Sequence, residues 1–187
     1  FLVINIIFSA ASNCFTYLSY VLEENGVDKS HIGTVAAIKV LGEVIIMLLI
    51  PRIKQYLSLS GLQLLAGIFL SMELLLMQFA KTLPSLALVE MVGGLGNGIA
   101  FCTAGLYVRT MAPKGLEATA FSLWTMGTSL GGIILALICG QIVDRYGVLA
   151  NYWFGFGLEI TWVALFLLSF LFGKWVLKKK NVMPMLR

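Results

Sequence analysis

Charge is what this sequence has least of. Acidic and basic residues together make up 12% of its 187 residues, where a soluble globular domain carries about 25%. Hydrophobic residues supply 59%, and the mean hydropathy is +0.94. A soluble fold of this length has too little interior to hide that much apolar surface, so lipid must solvate much of the chain. Cysteine is scarce as well. Cys14, Cys102 and Cys139 all lie within apolar runs. An odd number with none in a loop argues against a disulfide framework and reads as small packing residues. The single histidine, His31, opens an apolar run and reads as a surface residue. No metal-ligand cluster and no nucleophile triad can be assembled, so neither an enzyme nor a bound metal or cofactor is expected. The net charge of +4 is small, and nucleic acid is not an expected partner. Its one local cluster, Lys178, Lys179 and Lys180, suits anionic lipid headgroups. The chain starts at Phe1 inside an apolar run, with no charged segment or cleavage site before it. That run is therefore not expected to be a signal peptide, and the sequence is expected to be part of a longer protein.

What the sequence has is length of apolar run. A spanning helix needs about 20 apolar residues, and six runs qualify: 1–22, 31–50, 59–80, 85–108, 118–143 and 152–172. Pro51 is expected to close the second, and Pro113 and Gly115 mark the turn after the fourth. None of the runs alternates with a period of two, and each is about twice the length of a barrel strand. Helices are the other way to satisfy backbone polar groups in hydrocarbon. The expected fold is an all-α membrane protein, a single six-transmembrane-helix bundle over 1–187 with a basic tail at 173–187. Loop charge sets its orientation. Arg52, Lys54, Arg109, Lys114, Lys174, Lys178, Lys179, Lys180 and Arg187 would lie on one side, and Lys29, Lys81 and Arg145 on the other. The excess puts both termini in the cytoplasm.

Against the apolar background five ionisable residues stand out inside the runs: Lys39, Glu43, Glu73, Glu90 and Glu159. Such groups are costly in hydrocarbon and face a bundle interior or a cavity. Lys39 and Glu43 are four residues apart and share one helix face. Either they neutralise each other in an ion pair that fixes packing, or Glu43 binds substrate or a proton while Lys39 tunes its charge. Glu73 lies mid-span with no cation expected nearby. It reads as a proton carrier or as a buried acid hydrogen-bonded to a neighbouring helix. Glu90 and Glu159 lie about two turns into their runs; Glu90 is expected to reach the headgroups, and Glu159 to be structural.

Polar stripes mark further faces. Asn5, Ser9, Asn13, Thr16, Tyr17 and Tyr20 recur mostly at spacings of three or four in the first run. Glu90, Gly94, Asn97 and Phe101 share a face of the fourth, and Thr119, Ser122, Thr125 and Ser129 form a row in the fifth. Several such stripes in one small bundle favour a wet cavity. Glycines crowd the fourth run, including Gly94 and Gly98, and the fifth, where Gly127 and Gly131 have a GxxxG spacing. Small residues at these spacings let helix backbones approach and slide.

Three stretches carry a resemblance. The first is Tyr17-Leu-Ser-Tyr20 through Glu24-Asn-Gly26 to His31-Ile-Gly33. The second is Leu41-Gly42-Glu43. The third and most specific is Glu117-Ala-Thr-Ala-Phe-Ser122 through Gly131-Gly132 and Gly140 to Asp144-Arg-Tyr-Gly147. With them the whole chain resembles the C-terminal six-helix half of a major facilitator superfamily transporter. It looks closest to the branch holding lactose permease, the oligosaccharide and nucleoside proton symporters, and the phenylpropionate-type permeases. In lactose permease the carboxylate of the matching Gly-Glu step contacts sugar hydroxyls, so the resemblance implies a substrate role for Glu43. The departures matter equally. Glu73 stands where that permease has a third-helix arginine. Asn97 and Gly98 stand where its proton-coupling glutamate would fall, and Cys14 and Tyr17 lie near the places of its first-helix aspartates. A galactoside substrate and a lactose-type coupling network are therefore not implied.

The resulting expectation is secondary active transport of a small polar solute, such as a sugar or nucleoside, by proton symport across the cell membrane. Glu43 would bind solute with Lys39 adjusting its charge. Asn13, Tyr17 and Asn97 would line the cavity. Glu73 would lead in carrying protons, with Glu43 taking part, and Gly94, Gly98, Gly127 and Gly131 would form the packing surfaces. The family's working unit is two six-helix bundles with substrate between them. Besides solute, protons and the lipid bilayer, the implied partner is an N-terminal six-helix half or another copy. The rival reading is a non-transporting membrane assembly partner or degenerate half-transporter.

Overall fold

The computed structural model describes residues 17–175. The first predicted span lies mostly outside them, as do Asn5, Ser9, Asn13, Cys14, Thr16, Lys178, Lys179, Lys180 and Arg187. The described residues form six α-helices and no strand: α1 (Leu18–Glu24), α2 (Ile32–Ile53), α3 (Leu59–Met77), α4 (Leu83–Met111), α5 (Glu117–Tyr146) and α6 (Val148–Trp175). A 3-10 turn at Lys29–His31 precedes α2. By length and composition α2, α3, α4, α5 and α6 can each cross a membrane. Each is apolar around most of its circumference, as suits helices solvated by lipid.

Local chemistry sets the ends. Ser58 caps α3 by accepting from the Gly61 N–H at 3.1 Å. Thr82 and Ser85 form a reciprocal capping box at the start of α4, with Pro84 in the first turn, where its missing N–H costs nothing. That proline therefore begins a helix within the predicted loop. Pro51 does not close α2, which continues to Ile53 with the Lys54 N–H bonded to the Ile50 carbonyl at 2.9 Å. So close to the helix end, one lost backbone bond is tolerated. Between α5 and α6 the predicted turn contracts to Gly147, whose φ of 85° reverses the chain in a single residue.

Short loops join successive helices, yet α2 and α3 pack chiefly on α4 and not on each other. α4 packs most extensively on α2 and α3; α3 lies between α4 and α6, and α5 closes on α6 and α4. The buried face of α6 runs through Val148, Tyr152, Gly155, Glu159, Trp162 and Phe166, a four-three spacing that keeps one seam against its neighbours. Opposite it, Gly67 of α3 leaves room for the Trp162 ring, which a Cβ there would strike. At the α4–α5 corner the Phe121 ring lies against Gly105, with the Arg109 guanidinium 4.8 Å from its centroid.

Two of the bundle's apolar clusters lie at successive depths. One gathers Val21, Leu22, Val35, Leu74, Met77, Leu86, Val89, Cys139, Val148 and Tyr152 from all six helices. The other holds Ile46, Ile50, Leu62, Ala66, Ile99 and Ala100 of α2, α3 and α4. Along α2, Lys39 falls between Val35 of the first cluster and Ile46 of the second. Glu73 and Glu90 fall in the matching intervals of α3 and α4. The ionisable residues thus share one layer, enclosed above and below by hydrocarbon side chains.

Candidate functional site

Glycine brings α2 and α4 close enough to build a site. A Cβ at Gly42 would sit 2.6 Å from the Met91 carbonyl oxygen and 3.3 Å from the Leu95 nitrogen. From the other side, a Cβ at Gly94 would strike the Lys39 carbonyl oxygen, and one at Gly98 would lie 2.9 Å from the Glu43 carbonyl oxygen. The two backbones therefore touch where Lys39 and Glu43 leave α2. Gly94 and Gly98 lie where α4 meets the α2 backbone. Gly131 of α5 is buried and Gly127 half-buried.

The central feature is a three-residue charge cluster. The Lys39 ammonium lies 2.7 Å from Glu73 Oε1 and 2.9 Å from Glu90 Oε2. It joins α2 to both α3 and α4. Glu73 is 0% exposed, Glu90 1% and Lys39 15%, so the acids are sealed and the lysine forms the edge. Gly93 of α4 provides the socket for the Glu73 carboxylate, because any Cβ at that position would coincide with it.

This corrects three expectations. Glu73 has a cation beside it after all, supplied by another helix. Glu90 is buried against Lys39 instead of reaching headgroups, because α4 begins at Leu83 and sets it deeper within the bundle. The Lys39 ammonium reaches across to α3 and α4 and is not confined to a pair with Glu43 along its own helix.

One turn along α2, Glu43 is half-buried and accepts from Asn97 Nδ2 at 3.5 Å. Two residues proposed for the cavity, Glu43 and Asn97, are thus brought together beside the charge cluster. Tyr17 packs on Tyr20 with ring centroids 5.9 Å apart, and its hydroxyl lies 3.5 Å from a Cβ placed on Gly140 of α5. Asn13 is outside the described residues. The fourth-helix face grades from buried Glu90 and Gly94 through half-buried Asn97 to exposed Phe101. The α5 row of Thr119, Ser122, Thr125 and Ser129 is exposed, and the Thr125 hydroxyl donates to its own helix at Phe121.

Other buried polar groups escaped the sequence reading. Gln63 donates to Thr103 Oγ1 at 2.6 Å, and Thr103 donates to the Ile99 carbonyl at 2.7 Å. Both residues are 1% exposed and tie α3 to α4 below the charge layer. Their signal was present, since an amide and a hydroxyl inside apolar runs need partners. Glu159 is fully buried on the α6 seam, with neither carboxylate oxygen hydrogen-bonded among the described residues.

Comparison with known proteins places these residues in a family context. The MFS_1 like family matches residues 1–156, which takes in Lys39, Glu43, Glu73, Glu90 and Asn97. No curated protein and no solved structure matches the chain.

Proposed function

This chain belongs to the MFS_1 like family, and from that premise we propose that it moves a small polar solute across a membrane in symport with protons. The supporting observation is the adjacency of two dissimilar polar sites on the α2–α4 seam. The Lys39–Glu73–Glu90 cluster is charged and its acids are sealed, which suits a proton. Glu43 and Asn97 are half-buried and loosely joined, which suits hydroxyls of a sugar or nucleoside. Lys39 belongs to the first site and stands one turn from the second, so a change in one alters the field at the other. Glu43 serves as the solute acceptor, and Glu73 carries the coupling proton.

The bundle works with an N-terminal six-helix half or another copy, the solute lying between the two. We place it in the cell membrane, where loop charge favours both termini in the cytoplasm. The test is uptake by the full-length protein in proteoliposomes, driven by an imposed pH gradient, across a panel of sugars and nucleosides. Accumulation of one solute that collapses with the gradient supports symport. Normal coupled uptake by both Glu43→Gln and Glu73→Gln removes the residue assignments.

A further inference from the structure

We propose that Glu73 and Glu90 form one proton-binding unit, a buried dicarboxylate that holds a single proton against the Lys39 ammonium. The unit stands on its own geometry; only the use of its proton to drive solute rests on the symport reading.

Lys39 takes one oxygen of each acid, Glu73 Oε1 and Glu90 Oε2. The other oxygens, Glu73 Oε2 and Glu90 Oε1, are buried without a donor. Because both bind the same ammonium, at 2.7 Å and 2.9 Å, the two carboxyl groups are held side by side. Fully ionised, one ammonium and two carboxylates leave a net negative charge sealed between apolar clusters, the costliest arrangement for buried ions. Two acids that share a site cannot both ionise cheaply, so one keeps a proton. A single proton brings the cluster to neutrality, turns one carboxyl into a donor and preserves an ionised partner for Lys39. A second proton would remove the anion that holds Lys39 in place. Charge count and hydrogen bonding therefore agree on one proton for the pair.

The surroundings leave this balance to the three residues. Lys39 bonds Glu73 and Glu90 directly. On α2, Glu43 is engaged by Asn97 of α4. On α6, which packs on α3, the acid is Glu159, set on its own seam. Gly93 keeps the Glu73 carboxylate seated, so the pair is preorganised.

The test is modification of the full-length protein in detergent by N,N′-dicyclohexylcarbodiimide, which attacks protonated carboxyl groups in apolar settings. Tryptic cleavage after Lys54, Lys81 and Arg109 puts Glu73 alone on peptide 55–81 and Glu90 alone on peptide 82–109. Wild-type protein should carry label on these peptides. With Lys81→Gln, which fuses them, no molecule of the fused peptide should carry more than one adduct. Glu73→Gln should lower label on Glu90 by about tenfold or more, and Glu90→Gln should do the same to Glu73, since a lone carboxylate beside an ammonium stays ionised. Lys39→Met should raise labelling of both. Two adducts on one fused peptide, no label on either acid in wild-type protein, or undiminished label on the remaining acid in either glutamine variant would overturn the shared proton. The adduct count needs no substitution inside the cluster and stands if those variants fold poorly. Uptake plays no part in the test, so failure of the symport reading leaves this result independent.

Discussion

Gly93 is the socket of the Glu73 carboxylate: a Cβ built on this glycine would coincide with the carboxyl group. Gly93→Ala must therefore push Glu73 away from Lys39. The expected loss is about 3 kcal/mol, the lower range for breaking one side of a buried ion pair. Glu73→Asp shortens the side chain by one methylene and withdraws the carboxylate from the new methyl. The double variant should unfold at a higher temperature than the sum of the single effects predicts, as residues in contact couple. Additive shifts in thermal unfolding of the detergent-solubilised protein would refute the socket.

Lys39 holds two acids, so its removal should cost more than removal of either acid. Lys39→Met leaves the Glu73–Glu90 pair without its counter-charge and should destabilise by about 3–5 kcal/mol. The triple variant Lys39→Met, Glu73→Gln, Glu90→Gln carries no buried charge in this layer and should regain most of that loss, because neutral replacements of a whole buried network are often tolerated. It should still fail in coupled uptake. Recovery of uptake along with stability would show that the cluster serves packing alone.

The α2–α4 seam makes a sharper prediction about glycine. Alanine at Gly42, Gly94 or Gly98 would meet backbone atoms of the facing helix, and backbone cannot retreat as a flexible side chain can. Each should destabilise by about 1–3 kcal/mol through overpacking. Gly157 of α6 has open space around its Cβ position, so Gly157→Ala should gain up to about 1 kcal/mol in helix propensity. Thermal unfolding of the four variants separates the seam from ordinary helical glycine.

Hydropathy made the helices legible because lipid requires long apolar runs and leaves little freedom in how they fold. Helix ends were less so. Pro51 sits inside α2 and Pro84 inside α4, since proline is excluded from a helix interior but not from its first turn or the edge of its last. At the site, periodicity revealed that Lys39 and Glu43 share a helix face, and it marked Glu73 and Glu90 as anomalous. It was blind to which helix each side chain reaches. The partners of Lys39 lie 34 and 51 residues away, a pairing decided by the close approach of α4 to α2 and α3. Gly93 illustrates the same limit. Its neighbours in sequence suggest general packing, whereas its use is to vacate space for one carboxylate on another helix.

The turn before α2 carries a pH dependence. The Ser30 backbone N–H donates to Asp28 Oδ1 at 2.8 Å, and this bond, helped by the Ser30 hydroxyl, holds the Asp28 carboxyl below its ordinary range. A depressed folded-state pKa means the contribution is present above the unfolded value and is lost as pH falls through the folded one. The Ser30 amide should stay protected at neutral pH and lose protection only below the ordinary aspartate range. Asp28→Asn should flatten that acid limb. Hydrogen exchange of the Ser30 amide against pH reads it directly, and an unchanged limb in Asp28→Asn would place the protection elsewhere.

Glu43 and Asn97 are joined at 3.5 Å, the outer limit of a hydrogen bond. Neither group is sealed, so a solute hydroxyl can replace the contact without stranding a buried partner. On the proposed reading Asn97 is a binding residue, one whose interaction is equal in the ground and transition states of transport. Asn97→Ala should therefore raise the KM for uptake while leaving the maximal rate near its wild-type value. Loss of one neutral hydrogen bond is worth about 1 kcal/mol, or roughly fivefold in KM. Labelling of Glu73 and Glu90 should be unaffected, because their contacts are with Lys39 and Gly93. Initial rates over a range of solute concentration test the division of labour. A fall in maximal rate at constant KM would move Asn97 from the solute site to the coupling step.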